Sequence, residues 1–201
     1  MSATLRRWRN CAPIKRQPNV ARLCCCSRTK LTSICCLLPG IAGCWTKRGC
    51  QRKVPTPGKN QKRYGFGAVN AVTGAVTRLI RERKKSERFC ALGEAIVEAC
   101  CPGERWEGTK VALVVDNFII HRSKATSKLL ERYADRLEVC ELPTYALQLN
   151  VIELLWKHLR RKVTHNCLFE SVAALVAAVE QFFVELDNQP ATVLSVIGCA
   201  E

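Results

Sequence analysis

The first 64 residues contain neither Asp nor Glu, and no Asp occurs anywhere before Asp116. Chemistry that needs paired carboxylates must therefore be built from the later part of the chain. Long apolar runs are also missing. None approaches the roughly 18 residues that a helical bilayer crossing needs, so no membrane span is expected. No signal peptide is expected either: Met1 to Asn10 is basic, and no adequate uninterrupted apolar segment follows. A secreted disulfide framework is therefore not expected, and the chain is assigned to a reducing cytoplasm.

Of the 14 cysteines, eight fall in the first 50 residues. Zinc sites pair cysteines across two to four intervening residues, whereas Cys24-Cys25-Cys26, Cys35-Cys36 and Cys100-Cys101 are contiguous. A zinc-binding module is therefore only a third reading of this chain. Cys90, Cys100, Cys140 and Cys167 read instead as small buried apolar residues.

What is present in excess is positive charge. The 201 residues carry a net +15, and the acid-free first 64 hold 15 Lys or Arg. From Asp116 onward the balance is ordinary, with 9 basic and 11 acidic residues. The excess suits a polyanion, because Lys and Arg that neutralise phosphates release condensed counterions without reading sequence. The two ends of the chain look like different kinds of sequence.

Residues 1–42 show no consistent period and are expected to be irregular, and residues 43–62 are basic and turn-rich. Tyr64–Asn70 and Ala75–Ile80 read as an antiparallel hairpin across Ala71-Val-Thr-Gly74. Arg81–Arg88 is expected to be a solvated charged connection, and Phe89–Cys100 has helical spacing that Pro102-Gly103 stops. A strand over Lys110–Val115, a helix over Ser123–Ala134 with Leu129, Leu130 and Tyr133 inward, and a short strand over Leu137–Leu142 follow. Helices over Leu149–Val163 and Ser171–Leu186 finish the domain, with Pro190 ending the second. Hairpin strands followed by alternating strands and helices predict an α/β fold with a sheet of mixed direction.

Two carboxylates stand out in this frame. Val111-Ala-Leu-Val-Val is a buried-strand pattern, and Asp116 sits where that strand ends, a common place for an active-site acid. Glu153 lies in a segment whose Leu149, Ile152, Leu155, Trp156 and Leu159 recur at helical steps. One acid on a strand and one on a helix can converge on a divalent cation. Alone, Asp116-Asn117 would read as a turn or helix cap, and Glu153 as a surface acid facing Lys157 one turn on. Trp156 reads as core that holds the acid-bearing helix on the sheet.

The pattern resembles the catalytic core of the DDE transposases, in particular the bacterial insertion-sequence branch of the mariner superfamily. That family's Asp-Asn followed by His is matched by Asp116, Asn117 and His121. Its third-acid motif is matched by Leu142, Pro143, Tyr145, Leu149, Asn150, Ile152, Glu153 and Trp156, with 36 residues between the two acids. Ala146 and Leu147 replace the usual Ser-Pro, and Val151 replaces a Pro. The likeness extends upstream through Thr56-Pro-Gly-Lys-Asn-Gln61, Gly67-Ala-Val-Asn70 and Thr73-Gly74, so that residues 43–201 are expected to form an RNase H-like mixed sheet flanked by helices.

The resemblance implies metal-dependent DNA strand cleavage and transfer. Asp116 and Glu153 would hold Mg2+ or Mn2+, for which oxygen ligands are suited. Asn117, His121, Asn150 and Trp156 would support the site, and Lys157, Arg160 and Arg161 would contact DNA. It also implies transposon-end and target DNA as partners, a possible homodimer in the intact family, and association with the bacterial nucleoid when DNA-bound. Upstream helix-turn-helix units are not expected within these 201 residues.

The family uses three acids, with the first on an earlier strand, and this chain shows none there. Six Glu residues from Glu82 to Glu107 precede Asp116 but read as solvated positions. A reading-frame argument accounts for the gap. A Cys codon read one base early always gives Leu, Met or Val, so Leu23-Cys-Cys-Cys can be a displaced apolar strand. In the same frame Thr29 becomes Asp, Asn, His or Tyr, and Thr29–Cys36 allows Asp-Glu-Val-Asp-Ile-His-Leu-Leu, similar to the family's first catalytic strand. The expectation is a transposase catalytic domain with an out-of-frame amino-terminal segment, a defective remnant lacking its first Asp near residues 29–30. The alternative is a non-catalytic basic nucleic-acid-binding protein.

Overall fold

The computed structural model describes residues 22–32, 62–83, 85–103, 108, 110–116, 123–143, 149–165, 167 and 169–200. Five strands form one sheet: β1 (Arg22–Thr32), β2 (Lys62–Asn70), β3 (Val76–Arg81), β4 (Val111–Val115) and β5 (Leu137–Glu141), in the order β3-β2-β1-β4-β5. β1 pairs antiparallel with β2, and β2 with β3; β1–β4 and β4–β5 are parallel. The sheet is thus mixed, as the element order predicts.

The hairpin between β2 and β3 is closed by Asn70. Its Oδ1 accepts from the N–H groups of Val72 (2.9 Å) and Thr73 (3.1 Å), and its carbonyl accepts from Gly74 N–H at 2.8 Å. Gly74 has φ +77°, a conformation that only glycine adopts without a steric cost. β4 is five apolar residues, all buried, because helices cover both sides of it.

Alternation along the strands divides the core in two. Phe66, Ala68, Val111, Leu113 and Val115 face α1 (Ser86–Cys100), which contributes Phe89, Leu92 and Ile96. α2 (Lys124–Arg132) lies against α1, and its Ser123 cap accepts from Thr126 N–H at 3.2 Å. Val69, Ala112 and Val114 face the other way, toward α3 (Ile152–Leu159), α4 (Val172–Asp187) and α5 (Pro190–Val196).

Several expectations are corrected. The segment read as irregular contains a strand, Arg22–Thr32, in the middle of the sheet. Its local pattern is poor, but both its edges are paired, and hydrogen bonding to β2 and β4 holds it extended. Pro190 does not merely end a helix: it occupies the first turn of α5, where its missing N–H costs nothing. The α-helix expected from Leu149 begins at Ile152, and a π-type turn over Arg160–Thr164 prolongs it, with Arg160 O accepting from His165 N–H at 2.7 Å. Of α2's expected inner residues Leu129 is buried, while Leu130 and Tyr133 are half-buried. Cys140 is buried as expected, but Cys90 and Cys100 are only half-buried and Cys167 is exposed, because it lies outside any packed element.

Candidate active site

Asp116 is the first residue beyond β4 and is half-buried. By alternation it belongs with Ala112 and Val114, on the face that α3 covers. The β1–β4 pairing ends at Cys26 opposite Val115, so the next level on β1 is Ser27. Ser27 is paired in turn with Gly67 on β2, and Gly67 with Arg78 on β3. One cross-strand row therefore runs from Arg78 through Gly67 and position 27 to Asp116.

The helix that carries Glu153 lands on this row. A Cβ at Gly67 would lie 2.7 Å from Trp156 Cζ2 and 3.3 Å from Ile152 Cδ1, so the missing side chain is the space into which α3 settles. Trp156 is fully buried, and its ring stands edge-on to Phe183 of α4, centroids 5.9 Å apart. Arg78 closes the other side of the Phe183 ring at 4.9 Å from its centroid, bonding Asp187 at 2.8 Å and Glu180 at 3.3 Å on α4. Glu153, half-buried in the first turn of α3, is thereby held over the same sheet face as Asp116. Asn150, just before the helix, is 1% exposed and gives its carbonyl to Glu153 N–H at 3.0 Å.

Lys157, Arg160 and Arg161 project from α3 and the π turn and are exposed. Half-buried His158 leans on Phe182, centroids 5.7 Å apart. Burial, then the charges of Lys162 and Arg161, holds its pKa below the ordinary value. Asn117 and His121 lie outside the described residues. Gly67 and Arg78 are positioning residues: the sequence names Gly67 only within the family likeness and gives Arg78 no role, and a glycine in the middle of a strand was the further signal that another group approaches closely.

Among the described residues no group of three or more His, Cys, Asp or Glu is gathered for a metal ion. Asp116 and Glu153 offer hard oxygen donors on one face of the sheet. β1, the strand beside Asp116, has the sequence RLCCCSRTKLT and contributes no carboxylate. Positions 27 and 29, paired with Gly67 and Gly65, are those on the α3 face, and position 30 is on the other.

The sheet order, its helices on both faces and the strand-end acid are those of an RNase H-like fold. The catalytic domain of Mos1 mariner transposase superposes with a TM-score of 0.59 at 13% identity, covering 96% of this chain and 89% of that one. The Mos1 mariner paired end complex with Mn gives a TM-score of 0.63 at 13% identity, covering 97% of this chain and 60% of that one.

At the level of sequence, the DDE superfamily endonuclease profile matches residues 41–176, and the chain belongs to that family. A curated relative, the insertion element IS630 uncharacterized 39 kDa protein of Shigella sonnei, is 32% identical over 154 residues, 77% of this chain. The chain spans 43% of that relative's length. No helix among the described residues is long and apolar enough to cross a membrane.

Proposed function

We propose that this chain is the catalytic domain of an insertion-sequence transposase of the mariner superfamily, acting on DNA, with an incomplete metal site. The carrying observation is the row that joins Asp116 to the Gly67 seat of α3, which holds Glu153 over the same sheet face. The family match begins at residue 41, but the fold takes its central strand, Arg22–Thr32, from upstream of that point, so the domain is proposed to include it.

Asp116 and Glu153 would hold Mg2+ or Mn2+, the second of which is present in the Mos1 paired end complex. Bound there, such ions supply activation of a water or 3′ hydroxyl and stabilisation of the leaving oxygen. The residues present do not complete the pair of ions, since β1 lends no carboxylate. The chain's own contribution is therefore to hold one ion weakly and to bind DNA through Lys157, Arg160 and Arg161. Asn117 and His121 are proposed to support the site beside Asp116.

The test is Mn2+ titration by calorimetry, together with nicking of supercoiled plasmid in Mn2+. The expected result is weak Mn2+ binding that Asp116→Asn and Glu153→Gln each abolish, with nicking at background. Metal binding indifferent to both substitutions would remove the reading. The second reading, a non-catalytic nucleic-acid-binding protein, is favoured by the same carboxylate-free β1, and DNA binding without any specific Mn2+ binding would select it.

A further inference from the structure

Away from the acids, at the open edge of the sheet, a concavity of about 550 Å³ lies between the end of β3 and the start of α1. Five cations line it: Arg63, Arg81, Arg83, Lys85 and Arg88. Its one acidic wall residue, Glu82, is already paired with Arg63 at 2.9 Å. Among the described residues no carboxylate pairs with Arg83, Lys85 or Arg88, all of which are exposed. Such a charge cluster on a convex surface is an ordinary solvated face, but here the cations converge on a hollow.

A second feature points to the same kind of ligand. Lys85 is the N-cap of the 15-residue α1, and its side chain supplies no acceptor to the first-turn N–H groups. Arg88 N–H is met by Lys85 O at 3.0 Å and Glu87 is the acid of the first turn, while the helix start as a whole carries partial positive charge. Cations and helix start together favour a phosphate over a carboxylate-bearing peptide, because several tetrahedral oxygens can be met at once.

We propose that this pocket binds the backbone phosphates of duplex DNA, as a second contact separate from the catalytic carboxylates. The inference rests on the reading of the chain as DNA-acting. Ile80 and Val176 of α4 also form the wall, which puts the pocket at the margin of the face that α3 and α4 cover. Arg81 is level with Tyr64, and Tyr64 with Lys30, three positions beyond Ser27 in the direction of Asp116's strand end. Three strand spacings and three residue steps separate Arg81 from Asp116, on the order of 17 Å. That is about five base pairs of duplex at ~3.4 Å each.

The experiment measures binding of a fluorescent 20-base-pair duplex to the full chain by anisotropy, in EDTA, as a function of salt. The triple variant Arg83→Ala, Lys85→Ala, Arg88→Ala should lower the slope of log K against log salt by about two to three, since each neutralised phosphate contributes ~0.9. The comparison triple Lys124→Ala, Lys128→Ala, Arg132→Ala removes the same charge from exposed positions of α2, none of which lines the pocket. It should change the slope by less than about one. Circular dichroism checks that both variants fold; all six side chains are exposed. Equal slope changes in the two triples, or none in the pocket triple, overturn the proposal. EDTA separates this result from the metal reading: loss of Mn2+ binding with a pocket-dependent slope sinks only the latter.

Discussion

Gly67→Ala tests the contact on which the candidate site is built. The added methyl would stand 2.7 Å from Trp156 Cζ2, 3.0 Å from Cη2 and 3.3 Å from Ile152 Cδ1. Carbon atoms pack at about 3.5–4.0 Å, so the overlap with the indole is close to 1 Å. The indole has nowhere to go, because Phe183 stands edge-on to it, Phe182 packs edge-on to Phe183, and Arg78 covers the Phe183 ring. Overpacking of this kind costs about 1–3 kcal/mol, and the loss of unfolded-state freedom on going from Gly to Ala offsets roughly 0.4–1 kcal/mol of it. The expected net destabilisation is about 1–2 kcal/mol, read as a lower urea midpoint. In Tm it corresponds to about 2–8 °C for a chain of this size. Trp156→Phe removes the six-membered ring atoms that the methyl meets. In that background Gly67→Ala should be neutral or stabilising, giving a coupling of about 1–3 kcal/mol between the two sites. Effects of the two substitutions that add to within about 0.5 kcal/mol would refute the argument that Gly67 is the seat of α3.

Two further outcomes follow from the same geometry. Thr29→Asp restores a carboxylate on the α3 face of β1 and should strengthen Mn2+ binding by calorimetry, whereas Lys30→Asp, on the other face, should not; equal effects would count against the register. His158, whose folded pKa is lowered by burial and by Lys162 and Arg161, binds its proton less readily folded than unfolded. Between that lowered pKa and the ordinary 6.5 the unfolded chain holds more protons, so stability rises with pH through this window and the penalty is full below it. Urea unfolding at pH 5 and pH 8 should show a smaller difference for His158→Gln than for the parent chain, and an unchanged difference would exclude His158 as a source.

Much of the fold was legible locally. The hairpin, β4, β5 and the helices through α4 fall close to where periodicity and turn residues put them, because each has its own apolar rhythm or stop signal, though α1 starts earlier than expected, at Ser86 inside the segment read as a charged connection, and α3 later, at Ile152. Asp116 and Glu153 were legible for the same reason: a strand end and a helical stripe locate them without any tertiary knowledge. α5 was missed because Pro190 reads equally as a stop and as a helix start, and only packing of Val193 against the α3–α4 side of the core distinguishes the two. Charged residues 81–88 read as solvated because a sequence does not reveal whether neighbouring charges surround a bulge or a hollow.

The sequence by itself determined which residues carry the acids, the presence of β2 to β5 and of α1 to α4, and that the first 64 residues offer no carboxylate to any site. Tertiary structure decided that Arg22–Thr32 is the central strand, that position 29 and not 30 belongs to Asp116's face, and that Gly67 receives Trp156. The physical reason is the range of the forces involved. Apolar periodicity and turn geometry act over a few residues and leave a mark in the chain. Strand pairing between residues far apart depends on which edges are left open once the sheet has begun to assemble.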